Sequence, residues 1–471
     1  VSAPLPSRPR LGDHVLARRH WVGGDERVVL HDLRSGRLVQ LGPREWSLLA
    51  EADGTRDLPG IVLAAARAGA FAREPALRAF LEQLHEAGLL AGEAAPEPAD
   101  DAARDAPPPD RPLALLPDFS LHCDGRGSCC RLYASVLFSP VETARARALQ
   151  PKTLDGGADP SRVFLPERGS APCAGSAVAQ IDGRCAYLGE ADRCALHRAG
   201  GPEAKPLGCT LFPASFLDDG ERIRVSAWIE CACVLASVGR PGGAPLLDSR
   251  ARTRADLDPA VHVERLPERV LVRDGDHAGA ATLRRFTDQL LACPSPPDVP
   301  RALVQLARTL EAEGLAEQPD ARFDPHAPPL APAELLPWID ALHRRAERRA
   351  REDAVWRSER DLARLATRAI AAATRALLDP DALAALLAAP APAPASEAFS
   401  LRASLHAFRF VGELPLASAL RDQALRLLVA RALPGAFAAL AVPDPAFEHP
   451  LALLEAMMRG HGLSAYAHDL R

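Results

Sequence analysis

Residues 122–130 read HCDGRGSCC; together with CAGSAVAQIDGRCAYLGEADRCALH (173–197), KPLGCTLFP (205–213) and ECAC (230–233) they hold nine of the chain's ten cysteines. Only Cys293 lies elsewhere in the 471 residues. Cysteines used as small core hydrophobes scatter along a chain. Crowding of this kind points to a metal ion or an iron–sulfur cluster, because thiolates are the ligands that hold both. A disulfide framework is the alternative. The N-terminal stretch VSAPLPSRPRLGDHV shows no apolar run of a secretory signal. No stretch approaches the ~18 uninterrupted apolar residues of a membrane span. A cytoplasmic setting, which keeps thiols reduced, and no membrane partner are therefore expected.

Composition bounds the rest. The chain is long enough for two to four domains. Hydrophobic residues make up 48% and charged residues 25%, the balance of a globular protein, while aromatics are only 5%. Abundant Ala, Leu, Arg and Pro favour helices separated by breaks. A formal net charge of −5 offers no basic stripe, so no nucleic-acid partner is expected. The Arg-rich stretch HRRAERRAREDAVWRSERD (343–361) is interleaved with Glu347, Glu352, Asp353 and Glu359 and reads as a solvated helix laced with ion pairs.

An α+β fold is expected in four parts. Over residues 1–92, VVLHDLRSGRLVQL gives two apolar runs around Ser35-Gly36, a hairpin signal. Pro43 then opens a helix, IVLAAARA gives a second, and Leu77, Phe80, Leu81 and Leu84 give a third that Gly88 closes. Strands followed by three helices form a small winged-helix-like domain. Residues 93–112 are Pro, Ala and acid without periodicity, a linker. Residues 113–250 form an irregular cysteine-rich metal-binding domain, and 251–471 a mainly helical region.

Within the cysteine segment the spacings restrict geometry. Neighbouring side chains such as Cys129 and Cys130 diverge on a helix and oppose on a strand, which makes their closing on one ion awkward. Cys123 precedes them across Asp124, Gly125, Gly127 and Ser128, turn residues that let a chain double back. Cys194 and His197 are three apart and neighbour one another if helical, and the turn GEADR folds Cys185 toward Cys194. Cys209 follows the stiff Lys205-Pro206 pair. On the strand expected from IRVSAWIE, Cys231 and Cys233 share one face. The expected metal ligands are thus Cys123, Cys129, Cys130, Cys185, Cys194, His197, Cys209, Cys231 and Cys233. Cys173 and His122 are undecided, and Cys293 belongs to a helical stripe. No zinc-finger spacing, nucleotide-binding motif or triplet of S-adenosylmethionine radical enzymes occurs, and no catalytic residue stands out.

Two resemblances add to this reading. The hairpin, LGPREWSLLAEADGTRD and LRAFLEQLHEAGLL, over about residues 14–92, resemble PqqD-like peptide-recognition domains. That resemblance implies an extended peptide bound as an added strand against the third helix. Cys123, Gly127, Cys129-Cys130, CAYL, CALH and KPLGCTLFP resemble the YkgJ-type cysteine-cluster family, described as zinc- or iron-chelating. Arg126 stands where that family has its second cysteine, so Cys173, His122 or a member of the ECAC pair would replace it. The order of parts is also similar to the flagellin lysine-N-methylases. That similarity implies a peptide- or protein-modifying reaction, and S-adenosylmethionine enters only by this analogy. The implied cofactor is an iron–sulfur cluster or a zinc or iron ion, with a peptide or protein as partner. A non-catalytic metal chelator and an interaction adaptor with a structural metal are the alternatives.

Overall fold

The computed structural model describes residues 4–32, 37–91, 110–125, 127–132, 136–149, 154, 159–165, 176–189, 193–359, 361–441, 449–464 and 466. The expected Ser35-Gly36 turn, most of the 93–112 linker, Arg126, Cys173 and the centre of GEADR lie outside them. The fold is α+β with a helical C-terminal region. It divides into two compact units. One comprises Val1–Pro108, Tyr133–Thr210 and Trp356–Asp361; the other Pro109–Leu132, Leu211–Val355 and Leu362–Arg471. The cysteine segment is therefore shared: Cys185, Cys194 and Cys209 belong to the first unit, and Cys123, Cys129, Cys130, Cys231 and Cys233 to the second.

In the first unit, strand Val15–Val22 turns through Gly23-Gly24 into the antiparallel strand Asp25–Asp32, which pairs in turn with Leu38–Leu41. Both turn glycines have positive φ, the conformation a two-residue hairpin demands. Period-2 alternation then sorts the side chains: Val28, Leu30 and Leu41 point into a core completed by the helices Pro43–Leu49, Leu58–Arg67 and Glu74–Glu86. Asp57 caps the second helix by accepting from Gly60 N at 2.9 Å. Gly88, at φ +73, ends the third as expected. At the sheet's other side Gln180–Ile181 runs parallel to His20–Trp21, with Arg184–Cys185 beyond it. Leu38–Leu41 is the opposite edge.

The second unit centres on a sheet in the order Glu264–Arg265, Ala214–Asp218, Ile223–Ala227, Leu113–Leu115. Around it lie the helices Ala280–Ala292, Val299–Glu313, Pro332–Trp356, Leu362–Leu377, Leu416–Ala439 and Pro450–Gly460. The helix Leu416–Ala439 is buried on most sides and packs against Val299–Glu313, Leu362–Leu377 and Pro450–Gly460. Its Ala- and Leu-rich surface suits a central position, and its buried charges are paired, Arg431 with Glu397 and Arg426 with Glu455. The expected stripe of Leu283, Phe286 and Leu290 is buried.

Two local expectations change. Before its helices the region after residue 250 holds the strand Glu264–Arg265 and a hairpin, Arg269–Arg273 with Asp276–Gly279, whose signal is the Asp274-Gly275 pair. The Arg-rich helix is solvated along one side only: Arg349 reaches Asp353 at 3.2 Å, and both side chains are buried. Thr367 Oγ1 donates to Asp353 at 3.0 Å, which offsets part of the cost of burying that carboxylate. Among the described residues, no helix is long and apolar enough to cross a membrane.

Candidate metal centre

The nine described cysteines are all free thiols. In the second unit the chain enters the site at Leu121, which bridges to Ala244, each residue's N–H donating to the other's carbonyl at 2.7 and 2.9 Å. Gly243 makes this approach possible. A Cβ there would lie 2.7 Å from the Leu121 carbonyl oxygen and 2.8 Å from the His122 ring. One residue on, His122 N donates to Ser237 Oγ at 2.8 Å, and Ser237 Oγ donates to Cys233 O at 2.6 Å. These bonds bring the loop carrying Cys123 onto the short helix Ala232–Ala236, where Cys231 is the N-cap residue.

There the thiols converge. Cys233 Sγ donates to Asp124 Oδ1 at 3.2 Å. Its hydrogen bond with Cys123 pushes the Cys123 thiol far up, and burial adds to this. The Cys123 bond favours the Cys233 thiolate, but the bond with Cys231 and burial outweigh it and raise Cys233 to about 12. Cys231 and Cys233 meet through a helix start, not through the expected strand. That strand ends at Ala227: Trp228 N still donates in register to Pro213 O, but proline has no N–H to return the bond, and the chain turns with Cys231 N donating to Trp228 O at 3.2 Å.

Cys129 and Cys130 sit on the helix Ser128–Leu132 with their sulfurs 4.0 Å apart. Ligands about 2.3 Å from a tetrahedral ion stand about 3.8 Å from one another, so this doublet is closer to ligand spacing than adjacency alone implied. His461 Nε2 donates to Leu132 O at 2.9 Å and holds this helix to Pro450–Gly460, which also packs against Ala232–Ala236.

In the first unit, Cys185 ends a strand and Cys194 precedes the helix Ala195–Gly200. A bridge between Leu188 and Cys194, with Ala195 N donating to Tyr187 O at 2.7 Å, folds the two cysteines around Tyr187. Burial raises the Tyr187 hydroxyl, and the Cys185 and Cys194 thiols raise it further. His197 is on the same helix but exposed. Cys209 lies on the helix Leu207–Leu211, its N–H donating to Pro206 O at 3.0 Å.

No family model matches the chain, and no curated protein or solved structure is significantly similar to it. The chemistry must be read from the donors. Thiols in this number suit a thiophilic ion in kind. Among the described residues, however, no three His, Cys, Asp or Glu groups stand at the spacing of a single ion. Cys233 hydrogen-bonds to both Cys123 and Cys231, and the Cys123 and Cys233 thiols are raised, so a metal bound there would have to displace their protons. Sequence reading missed Asp124 as the acceptor for Cys233 and Ser237 as the residue that joins the two stretches. Neither carries a motif.

Proposed function

We propose that the chain is a cysteine-cluster metal protein that holds an extended peptide on its first unit, of the YkgJ-like and PqqD-like kinds respectively. The observation carrying this reading is the convergence of Cys123, Cys231 and Cys233, which come from stretches more than a hundred residues apart and lie beside Asp124. Together with the Cys129–Cys130 doublet they supply a thiolate set for zinc, iron or an iron–sulfur cluster. In this reading a member of the ECAC pair stands in for the cysteine that Arg126 replaces. Cys185, Cys194, His197 and Cys209 are the remaining ligand candidates.

The peptide reading is supported by Leu38–Leu41, which among the described residues is the outermost strand of its sheet. Beside it, a groove of about 390 Å³ is lined by Val39, Leu41, Phe80, Gln83 and Leu84. An extended segment added to that edge would gain main-chain hydrogen bonds, and Phe80 and Leu84 of the third helix would cover its alternate side chains. The winged-helix-like organisation of this part and a reducing, cytoplasmic setting belong to the same proposal. A modification reaction of the lysine-N-methylase kind is its furthest extension; a non-catalytic chelator is the simpler form.

Anaerobic purification followed by metal and acid-labile sulfide analysis tests it. Stoichiometric iron with sulfide supports a cluster, and colourless stoichiometric zinc removes any redox role. Cys231→Ser and Cys233→Ser should each lower bound metal. Unchanged content in both, or no metal in the parent protein, overturns the proposal.

A further inference from the structure

The second unit contains a cavity of about 470 Å³ whose wall carries Glu230, Arg409, Asp422, Arg426, Glu455 and Arg459. With Arg265, Glu264 and Glu413, which also line the cavity, it carries four guanidinium groups and five carboxylates, and the six named first do not all satisfy one another. Arg426 donates to Glu455 at 2.9 Å and lies 2.5 Å from Asp422. Gln423 Nε2 and the Tyr466 hydroxyl donate to the remaining oxygens of those two carboxylates. That half of the wall is closed.

The other half is open-ended. Glu230 Oε1 accepts from Arg459 at 3.3 Å, while its Oε2 is buried with no partner. Arg409 Nη2 donates to Ala227 O at 2.6 Å, while its Nε and Nη1 are buried with no partner. Both guanidinium groups lie on the Trp228 ring, at 4.3 and 3.3 Å from its centroid for Arg409 and Arg459. Glu230 and Arg409 both line the cavity; their unmatched, buried atoms are costly, and a ligand bearing both complements that reached them in place of Arg459 would remove the cost.

We propose that this cavity binds an apolar α-amino acid as its zwitterion. Its carboxylate meets Arg409, its ammonium meets Glu230 Oε2, and its side chain lies against Phe408 and Phe410, which also line the cavity. A plain anion would leave Glu230 unmatched, and a plain cation would leave Arg409 so. The Glu230 side chain is 6% exposed and that of Arg459 43% exposed, which makes Arg459 the side chain whose displacement admits the ligand. This reading does not depend on the metal.

Isothermal titration of the full chain with L-leucine, isoamylamine and 4-methylpentanoate tests it, the last two being leucine without its carboxylate and without its ammonium. L-leucine should bind, and each analogue about tenfold or more weakly, the loss expected for one charged hydrogen-bonded contact. Glu230→Gln and Arg409→Gln should each weaken L-leucine to a similar extent, with circular dichroism confirming a folded chain; if either unfolds, the analogue comparison on the unaltered protein decides. Equal binding of the amine or of the carboxylate overturns the proposal, as does the absence of L-leucine binding.

Discussion

The backbone N–H of His122 and the hydroxyl of Ser237, 115 positions apart in sequence, meet at 2.8 Å. Through that hydroxyl, which also donates to Cys233 O, the loop of Cys123 is fastened to the helix of Cys231 and Cys233. Ser237 is only 1% exposed, so the bond has no solvent substitute. Ser237→Ala should destabilise the second unit by about 1–3 kcal/mol, the cost of leaving a buried donor unmatched. Urea unfolding of the full chain measures this, and a change within error would show that the hydroxyl is not the fastener.

Gly243→Ala should act at the same joint by a different route. Its new Cβ would fall 2.7 Å from a backbone oxygen, which cannot rotate away as a side chain can. A loss of about 1–3 kcal/mol is expected. Gly435→Ala is the control, since its Cβ meets nothing within 4 Å and it lies within the helix Leu416–Ala439. That change should be neutral or stabilise by up to about 1 kcal/mol. Thermal melts that rank the two variants the other way would refute the close-approach argument.

Arg224 is buried at the junction of two carboxylates, donating to Asp219 at 2.6 Å and to Asp288 at 2.7 Å. Replacing it by methionine keeps the stem and leaves Asp219, itself fully buried, without its main counter-charge. About 3–5 kcal/mol should be lost. Asp219→Asn added to Arg224→Met should recover part of that loss, and strict additivity of the two changes would contradict a direct pair.

His406 should give the fold a pH dependence. Burial, set against a hydrogen bond to Ala114 O and reinforced by Arg224 and Arg222, lowers its pKa from 6.5 to about 4. The unfolded chain therefore takes up a proton below about pH 6.5 while the fold refuses it until about pH 4. Stability from this group is complete above the unfolded value and falls as pH drops through that window, by up to about 3 kcal/mol. His406→Gln should flatten the slope of unfolding free energy between those limits. An unchanged slope would assign the dependence to other groups.

The first unit should capture an extended apolar peptide through the Leu38–Leu41 edge. Phe80→Asp places a charge in the groove without touching the strand hydrogen bonds and should weaken a fluorescent peptide by about tenfold or more. Val141→Asp, at a position 73% exposed and away from the groove residues, should not. Equal effects would count against an edge-strand site.

Local sequence signals account for much of this architecture. The three helices after residue 43, the stop at Gly88 and the stripe of Leu283, Phe286 and Leu290 follow from spacing and from glycine's freedom at positive φ, which act within a few residues. The hairpin at Asp274-Gly275 was missed in favour of a helical region, although its turn pair is a local signal of the same kind. The crowding of cysteines was plain too, but not their grouping. IRVSAWIE carries strand propensity through Glu230, yet the strand ends at Ala227, because its next partner is Pro213, which has no N–H to return the ladder bond.

What the sequence by itself determined is the inventory: helices of given phase and a segment rich in thiols. Tertiary structure decided which thiols meet. Cys123 reaches Cys233 only because Leu121 pairs with Ala244, Gly243 leaves room, and Ser237 bonds both sides. Periodicity has no term for contacts across more than a hundred residues. Their geometry is set by packing, and a single missing Cβ can decide whether two stretches of chain approach.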